Sequence, residues 1–335
     1  MYKYITLHHG SGGKQMQELI RSLFVKKFGM NEILTDAAVV KLRKNKCAFT
    51  TDSFVVHPIF FPGGDIGKLA VCGTINDLAV TGAIPEFISV SFIIEEGLPF
   101  EDLEKIVDSM AEESKVAGVN IITGDTKVVE KGKCDKIFIN TSGIGSLDHT
   151  YENISTGSEI KPGDKLIVNG KIGNHAIAVL GAREQLGFTS DILSDCASLN
   201  KLIHSVLESG AKIRFMRDLT RGGLAAVLNE LSAITGFGIE ISEDNIPIEE
   251  PVRGLCEILG FDPLYLANEG KVLFVAGENY HKKVLQVLKD HPLGLNSEMI
   301  GEIVEAHPGK VMLNTAIGGK RLLDMHDHIQ LPRIC

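Results

Sequence analysis

The sequence predicts a mixed α/β protein, α+β in class, built as two domains. Strand-like runs rich in β-branched residues alternate with amphipathic segments along the chain. A glycine- and proline-bearing stretch, Gly157 to Asp164, divides it near the middle. Its 335 residues, 44% of them hydrophobic, suffice for two cores. The expected units are residues 1–155, residues 156–325 and a mobile tail, residues 326–335.

The chain opens with His8-His9-Gly10-Ser11-Gly12-Gly13-Lys14. Such a loop before a helix can turn several N–H groups toward an anion, or serve only as a flexible turn. The helix that follows carries Met16, Leu19, Ile20, Leu23 and Phe28 on one face. Ala37 to Leu42 and Cys47 to Thr51 read as strands joined by Arg43-Lys44-Asn45-Lys46. Asp36 precedes the first and Asp52 follows the second. Either acid suits a sheet-edge site or an ordinary turn.

Residues 61–85 are the densest stretch. Pro62-Gly63-Gly64-Asp65 should cap a helix so rich in small residues that something must pack closely on it. Asn76 and Asp77 interrupt its apolar run. A carboxylate among apolar neighbours is costly unless paired or metal-bound, so a metal site is favoured over an exposed face. Phe87 to Ile94 is a strand. Leu103, Ile106, Val107, Met110 and Ala117 mark an amphipathic helix. Asn120 to Thr123 reads as a short buried strand ending in Gly124-Asp125-Thr126-Lys127, where ligand contacts are common in α/β proteins. Lys136 to Ile144 is the next strand.

In the second half, Leu166 to Val168 is a strand and Gly170 to Gly173 a turn. Asn174 to Leu186 is a helix carrying His175, a capping or core residue. Phe215 to Leu224 contains Arg217, Asp218, Thr220, Arg221 and two glycines before the helix Leu224 to Ile234, a second anion-facing helix start. Leu266 to Gly270 leads into the strand Lys271 to Val275. At the edge of that run, Glu269 would have its pKa raised by desolvation and suit proton transfer, or else is a solvated turn carboxylate. The last five residues are Leu331-Pro332-Arg333-Ile334-Cys335. Pro332 favours an extended path, and ten stretched residues reach roughly 33–36 Å. That is enough to carry the thiol to an active site in the same or a neighbouring subunit.

Composition narrows the function. Net charge is −9, from 34 basic and 43 acidic residues, which argues against nucleic acid. No apolar run approaches the ~20 residues of a membrane span, and Met1 to Tyr4 lacks a signal-peptide core, so the cytoplasm is expected. Of the six cysteines, Cys47, Cys72, Cys134, Cys196 and Cys256 read as small buried hydrophobes, and Cys335 stands apart in the tail.

These motifs together resemble the PurM-like ATP-binding superfamily of aminoimidazole ribonucleotide synthetase, selenophosphate synthetase and thiamine-monophosphate kinase. Its marks are His9 to Gly13, Thr51-Asp52-Ser53, residues 61–85, Gly124 to Lys127, Asp218 to Gly223 and Ala267 to Gly270. The Pro332-Arg333-Ile334-Cys335 ending is similar to that of one branch, the HypE-type carbamoyl dehydratases of nickel–iron hydrogenase maturation. Two positions depart from the superfamily pattern: Thr35-Asp36 replaces a pair of acids, and Asn174-His175-Ala176 replaces Asp-His-Gly.

The resemblance implies a dimer joined through the N-terminal sheets, with a C-terminal α/β sandwich. It implies Mg²⁺ on Asp36, Asp52, Asp77 and Asp218. It implies ATP bound by Gly10, Ser11, Gly12, Gly13 and Lys14, with Asn76, Asp125 and Thr126 contributing, some from across the dimer. Cys335 would accept a carbamoyl group from a HypF-type carbamoyltransferase. ATP-driven dehydration would convert it to a thiocyanate, with Glu269 as base and Lys127 as its electrostatic or relay partner. A HypC–HypD complex would receive the cyanide. An α-carboxylate on Cys335 itself should raise the thiol pKa, leaving Arg333 or the partner's site to activate it. The alternatives are a selenophosphate-synthetase-like enzyme, disfavoured because its glycine-loop Cys is replaced by Ser11, another PurM-like ATP enzyme, which would have no use for a terminal Cys, and a non-catalytic ATP-binding scaffold.

Overall fold

The computed structural model describes residues 2–10, 14–30, 38, 40–183, 191–325, 331 and 333–335. The chain begins with a 3-10 turn at Leu7–Gly10, then α1 (Lys14–Leu19), a π-helical stretch and α2 (Lys26–Phe28). Next come β1 (Lys46–Phe54), β2 (Phe60–Phe61), β3 (Gly64–Asp65) and α3 (Ile66–Val80). β4 (Ala83–Glu95), α4 (Phe100–Ala117), β5 (Asn120–Val129) and β6 (Ile137–Leu147) complete this half. Its sheet has the order β1-β6-β4-β5, with β5 parallel to β4 and the other pairs antiparallel.

Among the described residues, helices cover only one face of this sheet. Along β4, Ile88, Val90, Phe92 and Ile94 are buried, whereas Phe87, Ser89, Ser91 and Ile93 point the other way. The same alternation places Asp52 and Thr141 on the helix side. α3 starts at Asp65, whose carboxylate accepts from the N–H groups of Gly67 (2.7 Å) and Lys68 (3.1 Å). Its small residues have the expected cause. A Cβ on Gly67 would lie 2.4 Å from the Ile106 carbonyl of α4, and one on Gly73 would lie 2.9 Å from the Phe54 ring.

The second half contains β7 (Lys165–Val168), α5 (Asn174–Gly181), α6 (Asn200–Glu208), β8 (Ile213–Asp218), α7 (Gly223–Thr235) and β9 (Gly238–Ser242). α8 (Glu250–Leu259), β10 (Val272–Ala276), α9 (His281–Lys289), β11 (Glu298–Val304), β12 (Val311–Asn314) and β13 (Lys320–Leu322) follow. The seven strands form one sheet in the order β13-β12-β9-β11-β7-β10-β8. α7 packs on one face through Leu224, Leu228 and Leu231, and α6 and α9 pack on the other through Leu202, Val206, Val284 and Leu288. Every side chain of β10 is therefore buried. A further core, holding Leu69, Ile75, Ala176, Ile177, Cys196 and Ile334, joins the two halves.

The mixed class and the two sheets match the sequence reading, but several boundaries differ. Residues 40–42 form no strand, and Asp52 lies inside β1 instead of after it. Gly124 to Lys127 is not a turn: β5 runs on to Val129, because β4 offers it pairing partners as far as Glu95. Its first residue, Asn120, is exposed. The helix bearing His175 spans Asn174–Gly181. Cys47 is exposed and Cys134 half-buried, since the alternation along β1 turns Cys47 outward.

Candidate active site

The C-terminal ends of β8 and α3 and the middle of β1 bring Asp218, Asp77 and Asp52 together under the Glu269 loop. Burial pushes the Asp218 carboxyl up to about 7, helped by repulsion from Asp77 and Asp52. Burial raises Asp52 and Asp77 as well, and Arg221 partly offsets both. The Asp77 carboxylate accepts from Thr50 Oγ1 at 2.9 Å. These are three hard oxygen donors with too little positive charge around them. Among the described residues, no group of three or more His, Cys, Asp or Glu side chains stands close enough to hold a metal by itself. The set fits a hydrated Mg²⁺, which keeps several waters and shares phosphate oxygens, better than a closed protein cage.

Glu269 sits at the centre. It is 3% exposed, and its Oε1 has no hydrogen-bond partner among the described residues. Burial, then repulsion from Asp218 and Asp195, raises its pKa well above the ordinary carboxylate value. Its backbone is fixed from several sides. Asp195 Oδ1 accepts the Glu269 N–H at 3.2 Å, and Asp195 Oδ2 pairs with Lys271 Nζ at 2.9 Å. Asn268 Oδ1 accepts from Gly173 N–H at 2.7 Å, and its Nδ2 donates to the Leu219 and Leu266 carbonyls. Asn76 Nδ2 donates to the carbonyls of Ala197 (3.0 Å) and Glu269 (3.3 Å), while its Oδ1 accepts from Leu199 N–H (2.7 Å). Asn76 was expected to touch nucleotide. Its amide is instead occupied by backbone, and its place is that of a brace under Glu269.

The tail enters this site in its own chain. Cys335 O accepts from Val55 N–H and Arg333 O from His57 N–H, both at 3.2 Å, so the tail extends the end of β1 as an antiparallel partner. Ile334 is 5% exposed, and its carbonyl is 2.8 Å from His175 Nε2. A carbonyl only accepts, so Nε2 carries the proton and Nδ1 accepts from Ser194 Oγ at 2.8 Å. Burial lowers the His175 pKa, which keeps the ring neutral. The Cys335 thiol is pushed up to about 12 by burial and then by the nearby Glu269. Arg333 does not activate it. Its guanidinium reaches Asp135 (2.5 Å) and the Val55 carbonyl (3.0 Å).

Asp36, Ser11, Gly12 and Gly13 fall outside the described residues. Gly10 abuts Val128 of β5, and Lys14 is exposed at the start of α1. Thr126 is buried on the helix side of the sheet. Asp125 and Lys127 project from the opposite face, where Lys127 Nζ pairs with Asp125 at 2.9 Å with its side chain 62% exposed. Lys127 therefore does not join Glu269 within one chain. His175, Asp195, Lys271 and Arg221 were missed as parts of the site. Arg221, in the Asp218 motif, and His175, read as a capping or core residue at the Asn174-His175-Ala176 position, carried a legible sequence signal.

Comparison with known proteins follows the same division of the chain. Residues 34–147 match the family described as AIR synthase related protein, N-terminal domain, and residues 161–314 match AIR synthase related protein, C-terminal domain. The chain is 48% identical over 336 residues to carbamoyl dehydratase HypE of Rhodobacter capsulatus, covering 99% of this chain and 98% of that one. The crystal structure of hydrogenase maturation protein HypE in complex with ATP superposes with a TM-score of 0.92 at 44% identity, covering 98% and 99% of the two chains. A chain from the crystal structure of a HypE–HypF complex superposes at 0.79 and 50% identity, covering 92% and 99%.

Proposed function

The chain belongs to the HypE family of hydrogenase-maturation carbamoyl dehydratases, and we propose that Cys335 carries the carbamoyl group through the reaction while Glu269 accepts its protons. One observation carries this reading: the Cys335 thiol lies near enough to the buried Glu269 carboxyl to feel its charge, and Glu269 Oε1 has no hydrogen-bond partner among the described residues. A thiol with its pKa near 12 is a poor nucleophile, so this pocket suits the already carbamoylated sulfur better than the free one. Loading would take place with the tail undocked, on a HypF-type carbamoyltransferase. A HypE–HypF complex is known for a relative.

The substrate of the docked state is the thiocarbamate S–C(=O)–NH₂. Its carbonyl oxygen attacks the γ-phosphorus of ATP, and the bond to the β-phosphate oxygen breaks, releasing ADP. Glu269 takes one N–H proton as the C–O bond acquires phosphate as a leaving group. The phosphate then leaves, taking the second N–H proton with it, and S–C≡N remains. Oxide is a far worse leaving group than phosphate, which is why the dehydration consumes ATP. Asp52, Asp77 and Asp218, with Asp36, would hold Mg²⁺, which neutralises phosphate charge when bound. Gly10, Ser11, Gly12 and Gly13 would supply N–H groups to the phosphates, with Lys14 adding charge. The HypE crystallised with ATP supports this nucleotide for the present chain.

We assign a homodimer formed through the open face of the β1-β6-β4-β5 sheet, which carries Phe49 (65% exposed) and Ile93 (44% exposed). Asp125 and Lys127 would then assist from a second copy, since both lie on that face, whereas Thr126 faces the helices of its own chain. The cyanide would pass to iron on a HypC–HypD complex. Residues 1–155 and 156–325 are taken as the domains, with 326–335 as the carrier tail. All six cysteines are free thiols, as suits a cytoplasmic site of action, and no described helix is long and apolar enough to cross a membrane.

The test is the mass of the Cys335 peptide after carbamoylation with cyanate and addition of Mg-ATP. Loss of one water with ATP, and not with a non-hydrolysable analogue, is expected. A carbamoyl mass that persists with ATP bound and the HypF-type partner present overturns the carrier role of Cys335.

A further inference from the structure

Arg333 makes several polar contacts of its own, although it takes no part in the chemistry proposed above. Its Nη1 meets Asp135 Oδ2 at 2.5 Å, its Nε donates to the Val55 carbonyl at 3.0 Å, and its guanidinium lies 5.9 Å from the Phe138 ring centroid. Its own carbonyl accepts from His57 N–H at 3.2 Å and from Arg183 Nη2 at 2.9 Å. Arg183 Nε in turn donates to the His57 carbonyl at 2.9 Å. Asp135 also lies 3.4 Å from His57 Nδ1. The Arg333 backbone is in the left-handed region, φ 52°, which a residue with a Cβ keeps only when its surroundings dictate it.

We propose that Asp135, on the loop between β5 and β6, is a positioning residue: it latches the tail through Arg333 and so sets the fraction of time Cys335 spends in the site. The inference rests on the carrier reading above. It adds what releases the tail for loading and for cyanide delivery. The pair is partly exposed, 38% and 40% at the two side chains, so it is a weak contact that a partner protein can displace. The hydrophobic anchor, Ile334, and the strand-like hydrogen bonds dock the tail in register. The ion pair tunes how often they let go.

The experiment is alkylation of the full-length protein with iodoacetamide, read at the Cys335 peptide, with the same peptide in the urea-unfolded protein as reference. In the unsubstituted protein Cys335 is alkylated far more slowly than in that reference. Asp135→Asn raises the folded-state Cys335 rate roughly 2- to 5-fold, the scale of one exposed ion pair, and leaves the unfolded-state rate unchanged. Asp135→Glu, which keeps the charge, largely restores protection. Arg333→Gln raises the rate at least as much. The double variant matches Arg333→Gln alone, because the two residues act through one contact. Independent effects that multiply in the double variant, or an unchanged rate in both singles, overturn the latch. Failure to dehydrate a carbamoylated tail in the unsubstituted protein would remove the carrier reading, while the labelling pattern would still decide the latch.

Discussion

Replacing Lys271 by Met tests how the site keeps Glu269 in place. Asp195 and Lys271 form an ion pair at 2.9 Å with side chains only 7% and 12% exposed. Burial alone would raise the Asp195 carboxyl, but Lys271, with His175 and the Glu269 N–H, holds the group below its ordinary 3.8. Removing the lysine strands a carboxylate in the interior, which costs about 3–5 kcal/mol when the partner of a buried pair is deleted. The pH dependence should change sign. With Lys271 present, the Asp195 contribution is complete above pH 3.8 and is lost only as pH falls through the lower folded value, so it is flat from pH 5 to 8. In Lys271→Met burial, the largest influence on Asp195, is opposed only by the Glu269 N–H and His175. The folded pKa then lies above the unfolded one, and stability falls as pH rises between the two. Urea unfolding at pH 5 and pH 8 measures both effects. The second substitution Asp195→Asn removes the charge but keeps an acceptor for the Glu269 N–H, and should recover most of the loss at pH 8. Equal losses at both pH values, or no recovery in the double variant, would refute this account of the pair.

Three further outcomes are expected. Glu269→Gln leaves ATP binding intact by calorimetry and slows single-turnover dehydration by about 10²–10⁴, the usual worth of a positioned base. Asp218→Asn stabilises the nucleotide-free protein more at pH 8 than at pH 5.5. The native carboxyl titrates near 7 and the unfolded one near 3.8, so ionisation costs stability as pH rises through that window, and about 2 kcal/mol separates the two conditions; added Mg²⁺ should narrow the gap, as thermal melts would show. Gly67→Ala forces a Cβ to within 2.4 Å of the Ile106 carbonyl and should cost about 1–3 kcal/mol by denaturant titration, with tail labelling unchanged.

The residues that announced the site were those whose chemistry contradicts their surroundings. Asp77 in an apolar helix and Glu269 before a buried strand were legible for that reason, and both sit in the cluster. Asp52 was legible too, but its place inside β1 was not, because strand length depends on how far β6 continues beside it. Lys127 and Asp125 show the limit of motif reading. Their neighbours Thr126 and Gly124 fall on the helix side, and only the period of β5 reveals that the motif is split between two faces of the sheet. Asn76 looked polar and therefore functional, yet its partners are carbonyl and N–H groups more than a hundred residues away, which no local pattern encodes. The tail was read as long enough to reach a site. That its strand-like pairing would be to Val55 and His57 depends on the open end of β1, a property of the assembled sheet.

Docking of the tail onto its own β1 fixes the kinetic order of the reaction. Substrate and catalyst are one covalent molecule, so the effective concentration of thiocarbamate at Glu269 is set by chain geometry and does not depend on how much enzyme is present. Dehydration should then be first order, with a rate constant that does not change on dilution so long as the dimer stays assembled. Each chain can hold one product at a time, on a sulfur that occupies its own pocket. Throughput is therefore governed by the acceptor that removes the cyanide and frees that sulfur for another load.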